Sequence, residues 1–208
     1  MRFVVSLSLL VLLLAAPVAS QAPRDLLIVP GVRIGRWTLE MSIDDLVRMN
    51  GPAFITRLEA PDVVSALQRY VWSAFGGPEK LEAVSSDGKK VVWLSVSGVK
   101  FKTDMGIGPL SQRSAVETAY GKPTAEIAQR GGATTPLTNE LVQNVVNLAK
   151  GPVEFKVFRG WSWMIYDRLG LGLGIFLGTI TFGTTSLDDP VARILVFSPG
   201  TAKSIWRF

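Results

Sequence analysis

The residues with the clearest chemical spacing are Ser97-Gly98-Val99-Lys100, a Ser-x-x-Lys pattern in which the lysine could accept the proton of the serine hydroxyl. That chemistry needs the serine to open a helix, so that the lysine lies one turn further on. Here the tetrapeptide ends a segment rich in Val and Trp, and Gly98 disfavours a helix. Ser86-Asp87-Gly88 is a faint match to the accompanying second motif, but it stands in the wrong order. We therefore interpret the pattern as a coincidence.

A glycine-rich segment from Leu169 to Gly183 is the second candidate. A dinucleotide-binding Gly-x-Gly-x-x-Gly motif would need glycine at position 177, where leucine stands, and a helix after it. Period-two alternation instead places an apolar row on one strand face, opposite a face of mostly glycine: Leu169, Leu171, Leu173, Ile175 and Leu177. The pattern predicts a strand whose apolar face fills the core. Its glycine face would let another part of the chain approach closely.

Acid–base and metal chemistry have few candidate residues. The pairs Asp44/Asp45 and Asp188/Asp189 are sequence neighbours, so neither provides two facing carboxylates, and helix capping or turn formation accounts for them. The chain has no His and no Cys, which removes the preferred ligands of zinc, copper and iron. It also excludes Ser-His-Asp and Cys-His nucleophile systems within this chain. We assign no catalytic residue and expect no cofactor and no metal site.

Four aromatic residues on predicted strands are the candidates for binding a partner. Tyr70 and Trp72 share one strand face, as do Trp161 and Trp163. Packing in the core explains most aromatic residues on strands. An exposed patch of Trp and Tyr would instead suit a protein–protein contact, because these side chains dominate binding hot spots. Both interpretations remain open at this point.

Two segments about 70 residues apart resemble each other, one from Ile34 to Pro52 and the other from Ile107 to Pro123. Each has an Ile-Gly start, a polar helix start, one or two helical turns, and then glycine and proline. Gly51 and Gly121 stand where a residue with positive φ would close the helix. The pattern predicts two short helices and an internal repeat.

The starts of these helices carry capping signals. Ser42 with Asp45, and Ser114 with Glu117, have the capping-box spacing, in which side chains bond the free N–H groups of a helix start. Ser111 is a rival cap in the second segment. A further helix is predicted at about residues 138–150, where Leu141, Val145 and Leu148 recur at helical spacing.

Strand-like segments follow each helix and indicate an α+β fold with antiparallel sheets. We predict a two-residue hairpin turn at Asp87-Gly88 and a last turn at Asp188-Asp189-Pro190. The predicted strands cover residues 70–75, 80–84, 91–96, 153–158, 161–166, 169–182 and 192–197.

This arrangement of an Ile-Gly start, a short helix ended by glycine and proline, and aromatic hairpins resembles the repeat of the β-lactamase-inhibitor-protein-like superfamily. That superfamily includes the SmpA/OmlA outer-membrane assembly lipoproteins. The resemblance implies two tandem helix-plus-antiparallel-sheet repeats, at residues 21–104 and 105–208, and a tendency to bind proteins through an aromatic-rich sheet face. The chain departs from SmpA/OmlA proteins in lacking a lipobox Cys, and from the inhibitors in lacking disulfides.

The first residues have the three parts of a secretory signal: a basic residue at Arg2, an apolar run from Val4 to Ala16, and a small-residue exit at Val18-Ala19-Ser20. We predict that residues 1–20 are a signal peptide cleaved after Ser20. An uncleaved anchor is disfavoured, because the apolar run falls short of the roughly 20 residues that span a bilayer. The junction has no Cys for a lipid, so we expect a periplasmic or secreted protein with no membrane anchor of its own after cleavage.

The formal net charge of +5 comes from scattered residues and forms no basic stripe, so the sequence does not indicate nucleic-acid binding. The function that the sequence favours is non-catalytic contact with another envelope or secreted protein, in envelope maintenance or inhibition. Two alternatives remain. One is an envelope enzyme with a carboxylate or Ser/Lys site between the repeats. The other is a carrier of lipid or another small molecule that uses the glycine-rich strand.

Overall fold

The structure is a computed structural model, and it describes residues 26–58, 63–73, 80–129, 136–149 and 151–208. The predicted signal peptide and its cleavage site after Ser20 lie outside these residues.

The first part of the chain contains one helix and eight strands. In chain order they are β1 (Leu27–Val29), β2 (Arg33–Ile34), β3 (Trp37–Thr38), α1 (Ile43–Asn50), β4 (Phe54–Leu58), β5 (Leu67–Ser73), β6 (Lys80–Ser85), β7 (Val91–Val96) and β8 (Lys102–Thr103).

The second part contains three helices and five strands. They are α2 (Arg113–Tyr120), β9 (Ala125–Gln129), α3 (Pro136–Ala149), β10 (Val153–Tyr166), β11 (Leu171–Phe182), β12 (Thr185–Asp188), β13 (Val191–Phe197) and α4 (Ala202–Ile205), with a 3-10 turn at Asp167–Leu169 between β10 and β11.

Most strands belong to one sheet with the order β4-β5-β6-β7-β13-β11-β10-β9, and β12 pairs with β11 beside this path. All its pairings are antiparallel. The N-terminal half, α1 with β4–β7, runs from one edge towards the centre. The C-terminal half, α2 with β9–β13, does the same from the opposite edge, and β7 meets β13 where the halves join. A small sheet, β3-β2-β1-β8, accompanies the main one.

The α+β fold with antiparallel sheets is therefore confirmed, and most predicted strands lie where the sequence placed them. The segments predicted at 153–158 and 161–166 form one strand, β10, whose register with β11 shifts between Lys156 and Gly160. The helix predicted at about 138–150 is α3.

Both faces of the main sheet are covered, which decides where the aromatic residues lie. On one face, Ile43 and Leu46 of α1, Val116 of α2 and the small sheet pack against the strands. On the other face, α3 packs through Leu141 and Val145. The segment around α4 and Trp206 covers the rest of that face. The apolar side chains under these elements, on either side of the sheet, are thus removed from water.

Most of the glycine-rich segment is β11, and the two faces of this strand differ as predicted. The prediction is wrong for Leu169, which lies in the 3-10 turn before β11 and is exposed. Leu171, Leu173 and Ile175 are fully buried in the core on one face. On the other face, a Cβ atom added at Gly174 would come within 3.0 Å of the Trp163 ring, and one at Gly172 would come within 3.1 Å of Leu195. The glycines therefore make room for side chains of the neighbouring strands.

The two main-sheet helices end alike but begin differently. Gly51 and Gly121 close α1 and α2 with φ of 81° and 73°, although their ψ values of −170° and −156° lie outside the left-handed helical region. The predicted capping box of Ser42 and Asp45 is present in α1. The predictions for α2 are wrong, because its cap is Gln112, which makes no side-chain cap bond.

The reason is that α2 begins earlier than Ser114, which lies inside its first turn. The hydroxyl of Ser111 accepts a hydrogen bond from the Gly108 N–H at 3.0 Å and is not used as a cap. The Arg113 N–H donates to the Asp189 carbonyl at 3.1 Å. A carbonyl in the turn between β12 and β13 thus satisfies one of the free N–H groups of this helix start.

The turn predicted at Asp87-Gly88 is longer than two residues, because Ser86–Lys90 separate β6 from β7. Gly88 has a positive φ of 73°, but Asp87 does not. Instead, the Asp87 carboxylate accepts the backbone N–H groups of Lys89 and Lys90, each at 2.8 Å. These bonds lower the pKa of Asp87 to about 2. The last turn lies where it was predicted, with Asp189 at a φ of 44°.

Candidate functional site

The four aromatic residues proposed as a partner-binding surface do not form an exposed patch. Tyr70, Trp72 and Trp161 are buried, the last of them only 1% exposed, and Trp163 is partly buried. The expectation of an exposed aromatic face is therefore wrong for the first three, and their positions match the alternative of core packing. The physical reason is that helices and the terminal segment cover both sides of the sheet.

Trp161 belongs to a cluster of rings beside α3 that the sequence did not single out. Its ring lies 5.5 Å from that of Phe176, and Phe158 lies 5.0 Å from Phe176 and 6.2 Å from Trp161. Phe155 is the outer, partly exposed member, with its ring centroid 6.1 Å from that of Phe176. Trp161 thus supports surface residues but does not meet solvent itself.

Tyr70 and Trp72 have a comparable supporting role at the start of the sheet. The indole N–H of Trp72 donates to the carbonyl of Gly51 at 2.8 Å, which fixes the end of α1 against β5. Tyr70 lies directly opposite Ile55 in the ladder between β4 and β5, and its ring stacks on Trp72 with the centroids 6.4 Å apart. These two buried rings therefore position the strand that follows α1.

That strand, β4, is one edge of the main sheet, and we call its residues Phe54–Leu58 the open edge. Among the described residues, no strand pairs with its outer side. Phe54 is 72% exposed and Ile55 is 59% exposed, and they point to opposite faces because successive strand residues alternate. Natural sheet edges are normally protected by charge, proline or bulges, since an unpaired strand invites another strand. The open edge has one exposed charge, at Arg57, but Phe54 and Ile55 beside it expose apolar side chains.

Sequence reasoning missed this edge because the segment is short and interrupted. Pro52 ends the helical pattern that precedes this segment. After it, only Phe54, Ile55 and Thr56 are aromatic or β-branched residues that favour a strand. No feature of these residues tells an edge strand from a central one. The pairing partners of β5 and β6 had to be known first.

The opposite edge, β9, is protected. The carboxylate of Glu126 accepts two hydrogen bonds from the Arg113 guanidinium, at 2.8 and 2.9 Å, and one from the Ser162 hydroxyl at 2.6 Å. Burial alone would raise the pKa of Glu126, but the bonds from Arg113 and Ser162 outweigh it and leave the pKa below its ordinary value. The exposed residue Ala128 is small. This edge therefore presents a charge and little apolar surface.

A buried ion pair joins the two halves near the middle of the sheet. Glu82 on β6 receives hydrogen bonds from the Arg193 guanidinium on β13 and from Arg69 on β5, the latter through Nε at 3.0 Å. Burial would raise the pKa of Glu82, but the guanidinium groups of Arg193 and Arg69 outweigh it and lower the pKa. The Ser95 hydroxyl on β7 also donates to this carboxylate, at 3.2 Å. Glu82 is held as a charged partner and is not placed to exchange protons with a substrate.

The other polar candidates have structural surroundings. Ser97 is fully buried at the end of β7, where its carbonyl accepts a hydrogen bond from the Asn144 amide at 2.6 Å, while Lys100 is exposed in the following turn. The serine and the lysine therefore do not lie on a common helix. Within the described ranges, no group of three or more His, Cys, Asp or Glu side chains could hold a metal ion.

An open groove of about 740 Å³ lies along α2. Its lining is uncharged and mostly apolar: Met105, Ile107, Leu110, Gln112, Ser114, Ala115, Thr118, Ala119 and Leu187. Leu110 has a φ of 69°, which is unusual for a residue with a side chain. The volume falls within the range of small-molecule sites, although this groove is open.

Comparisons with models of known protein families, with curated proteins and with solved structures found no match. In the part of the chain that the structure describes, no helix is both long and apolar enough to cross a membrane.

Proposed function

We propose that this chain is an exported, non-catalytic protein that acts by protein–protein contact, and that the contact is made by the open edge. The observation that carries the proposal is the exposure of Phe54 and Ile55 on a strand whose outer side meets no described strand. An extended segment of a partner would add to β4, with main-chain hydrogen bonds for affinity and side-chain contacts to Phe54 and Ile55 for specificity.

The supporting frame makes this edge suitable for binding. The edge is held from behind by the Trp72–Gly51 hydrogen bond and by the pairing of Ile55 with Tyr70. A strand fixed in this way loses little conformational freedom when a partner strand is added, so more of the contact energy appears as affinity.

The proposal includes two tandem units similar to those of the β-lactamase-inhibitor-protein-like superfamily, exported to the periplasm or secreted. Two correspondences support the internal repeat. The N–H groups of Ile43 and Arg113, at the starts of α1 and α2, donate to the carbonyls of Lys89 and Asp189 before β7 and β13. The second strand of each half also bonds the closing glycine of its helix, through Trp72 in one half and Tyr166 in the other.

Site-specific crosslinking tests the proposed contact. A photoreactive phenylalanine analogue replaces Ile55 in the exported protein, and its matched control replaces Ala128 on the opposite edge. After irradiation of whole envelopes, we expect a crosslinked product containing this chain and one further polypeptide from position 55, and none from position 128. Mass spectrometry identifies both the partner and the crosslinked residue.

Four results would contradict parts of this proposal. Products of equal yield from both positions would show random collision, and no product from position 55 would remove the open edge as the contact. A fractionated culture with the protein only in the cytoplasm would contradict export. A mature N-terminus other than Gln21 would contradict cleavage after Ser20.

The groove along α2 favours a second candidate function, the binding of an uncharged apolar small molecule. The glycine-rich strand cannot supply this site, because Trp163 and Leu195 fill the space beside its glycines. Ala115→Trp would place a large ring in the groove, and Ala128→Trp is the control. Mass spectrometry then measures co-purified lipid in the natural protein and in both variants. Loss of lipid from Ala115→Trp alone would support the carrier function, and absence of lipid from all three proteins would oppose it.

A further inference from the structure

We infer that the strand which covers the open edge is β4 of a second copy of this chain. The two copies are related by a two-fold axis through Thr56, meaning an axis that passes midway between the Thr56 residues of the two strands. The inference rests on the proposed function, because it names the partner of the same edge. Pairing of this kind would join the two main sheets into one continuous antiparallel sheet.

A two-fold axis perpendicular to the sheet limits how β4 can pair with itself. Such an axis keeps each face of one copy continuous with the same face of the other, so residues directly opposite each other must share a face. Phe54, Thr56 and Leu58 lie on one face, and Ile55 and Arg57 lie on the other, because side chains alternate along a strand. The axis therefore passes through a residue, and the choices near the middle of the strand are Ile55, Thr56 and Arg57.

Of these three centres, only Thr56 gives every residue of β4 a favourable side chain opposite it in the second copy. On one face, Phe54 lies opposite Leu58 of the second copy. On the other face, Ile55 lies opposite Arg57 of the second copy. Each pair occurs twice because of the two-fold symmetry. Phe54 gains an apolar neighbour, and Ile55 can pack on the aliphatic part of the arginine side chain. The strand is thus complementary to itself about this centre.

The two other centres are less favourable. An axis through Arg57 sets two arginine charges directly opposite each other, which destabilises a strand pair. An axis through Ile55 brings Pro52 into the ladder opposite Leu58, and proline has no N–H to donate. Pro61 follows the strand in the sequence, so prolines bound this segment on both sides, and Thr56 stands near the midpoint between them.

Self-pairing of this kind is unfavourable at the protected edge, β9. There, Glu126 is bonded to Arg113 and Ser162, and pairing of β9 with its own copy would bring the two ion-paired groups towards each other. Of the two edges of the main sheet, the open edge is therefore the one suited to self-association. A contact of one short strand on each side is small, so we expect a weak, concentration-dependent dimer.

A single cysteine tests the register directly. The natural chain has no cysteine, so Thr56→Cys introduces one thiol at the inferred axis. Residues directly opposite in an antiparallel pair have Cβ atoms about 4.5–5.5 Å apart, close to the spacing that a disulfide needs. Under mild oxidation we expect a disulfide-linked dimer from Thr56→Cys and little from Ala128→Cys, read by electrophoresis without reductant.

A charge exchange tests the same register without a covalent bond. Ile55→Lys places a lysine opposite Arg57 of the second copy, twice per dimer, and should weaken association about tenfold in sedimentation measurements. Combining Ile55→Lys with Arg57→Glu makes each lysine face a glutamate and should restore association. Ala128→Lys is the control for added charge, and circular dichroism checks that every variant is folded.

The outcomes separate this inference from the proposed function. A chain that remains monomeric at high concentration, with no disulfide dimer from Thr56→Cys, would overturn the second copy as partner. If the probe at position 55 then captured a different envelope protein, the open edge would still be the contact site. If the probe captured nothing, both proposals would fall.

Discussion

In the N-terminal half, α1 closes at Gly51 and leads into β4; in the C-terminal half, α2 closes at Gly121 and leads into β9. From each edge, the strands then follow one another towards the centre of one sheet. The halves differ at the edges themselves. β4 shows Phe54 and Ile55 to solvent, whereas β9 shows a small alanine and a carboxylate bonded to Arg113.

This difference teaches that a common architecture does not decide which end of a sheet can accept another strand. The architecture leaves both ends without a described neighbour. The ion-paired Glu126 and the small Ala128 make one end unattractive to another strand, whereas the exposed apolar side chains of Phe54 and Ile55 leave the other end open. Substitutions at the joint between the halves, at the closing glycines and at the helix starts test how far the two halves are alike.

The largest effect is expected at the joint. Glu82→Gln removes the charge that Arg193 and Arg69 share, so it breaks the buried ion pair between Glu82 and Arg193. Breaking a buried ion pair costs about 3–5 kcal/mol of unfolding free energy. Chemical denaturation should show this loss, and hydrogen exchange should quicken in β6 and in β13 alike. Faster exchange in the N-terminal half alone would show that the halves unfold independently.

Glu82 also decides in which direction the unfolding free energy changes with pH. Because the pKa of Glu82 is lower in the folded protein, its contribution to stability is present above the ordinary value of 4.5 and is lost as the pH falls through the folded pKa. The unfolding free energy of the natural protein should fall in this acidic range, and Glu82→Gln should lack that part of the fall. Parallel curves for both proteins would assign the acid sensitivity to other carboxylates.

A smaller effect is expected at the closing glycines. Tyr166→Phe removes the hydroxyl that donates to the Gly121 carbonyl at 2.9 Å and keeps the ring, so it should cost about 1 kcal/mol. Burial also raises the pKa of this hydroxyl to about 12, so it remains a donor at neutral pH. Trp72→Phe removes the matching bond to Gly51 together with ring volume, and should cost more in the same denaturation assay. If Tyr166→Phe has the same denaturation midpoint as the natural protein, water has replaced the hydrogen bond to the Gly121 carbonyl.

The smallest effect distinguishes the helix starts. Ser42→Ala removes the hydroxyl that accepts the Asp45 N–H at 3.1 Å, so a loss of about 1 kcal/mol is expected. Ser114→Ala changes an exposed residue that does not cap α2, and its effect should stay within about 0.5 kcal/mol. Urea denaturation of both variants measures the difference. Equal losses would mean that the capping box does not stabilise α1 in solution.

Local chemistry made much of the fold predictable. The alternation of β11, the ends of both helices at glycine and the capping box of Ser42 each depend on residues close together in the sequence. The turn at Asp87-Gly88 is longer than predicted because of local bonds to the Asp87 carboxylate, but the wrong predictions for α2 and for the aromatic residues share one reason. The Asp189 carbonyl at the start of α2 and the covered faces around Tyr70, Trp72 and Trp161 are supplied by distant parts of the chain.

Local sequence patterns were enough to predict the helix and strand periods and the glycine ends of the helices, and the composition excludes His- and Cys-dependent chemistry within this chain. Only the tertiary structure decided that the halves share one sheet, that the aromatic residues are buried and that β4 is an edge. The physical reason is that burial and strand pairing depend on contacts far apart along the chain. Glu82 and Arg193 meet across 111 positions, and no local pattern in either segment specifies that pairing.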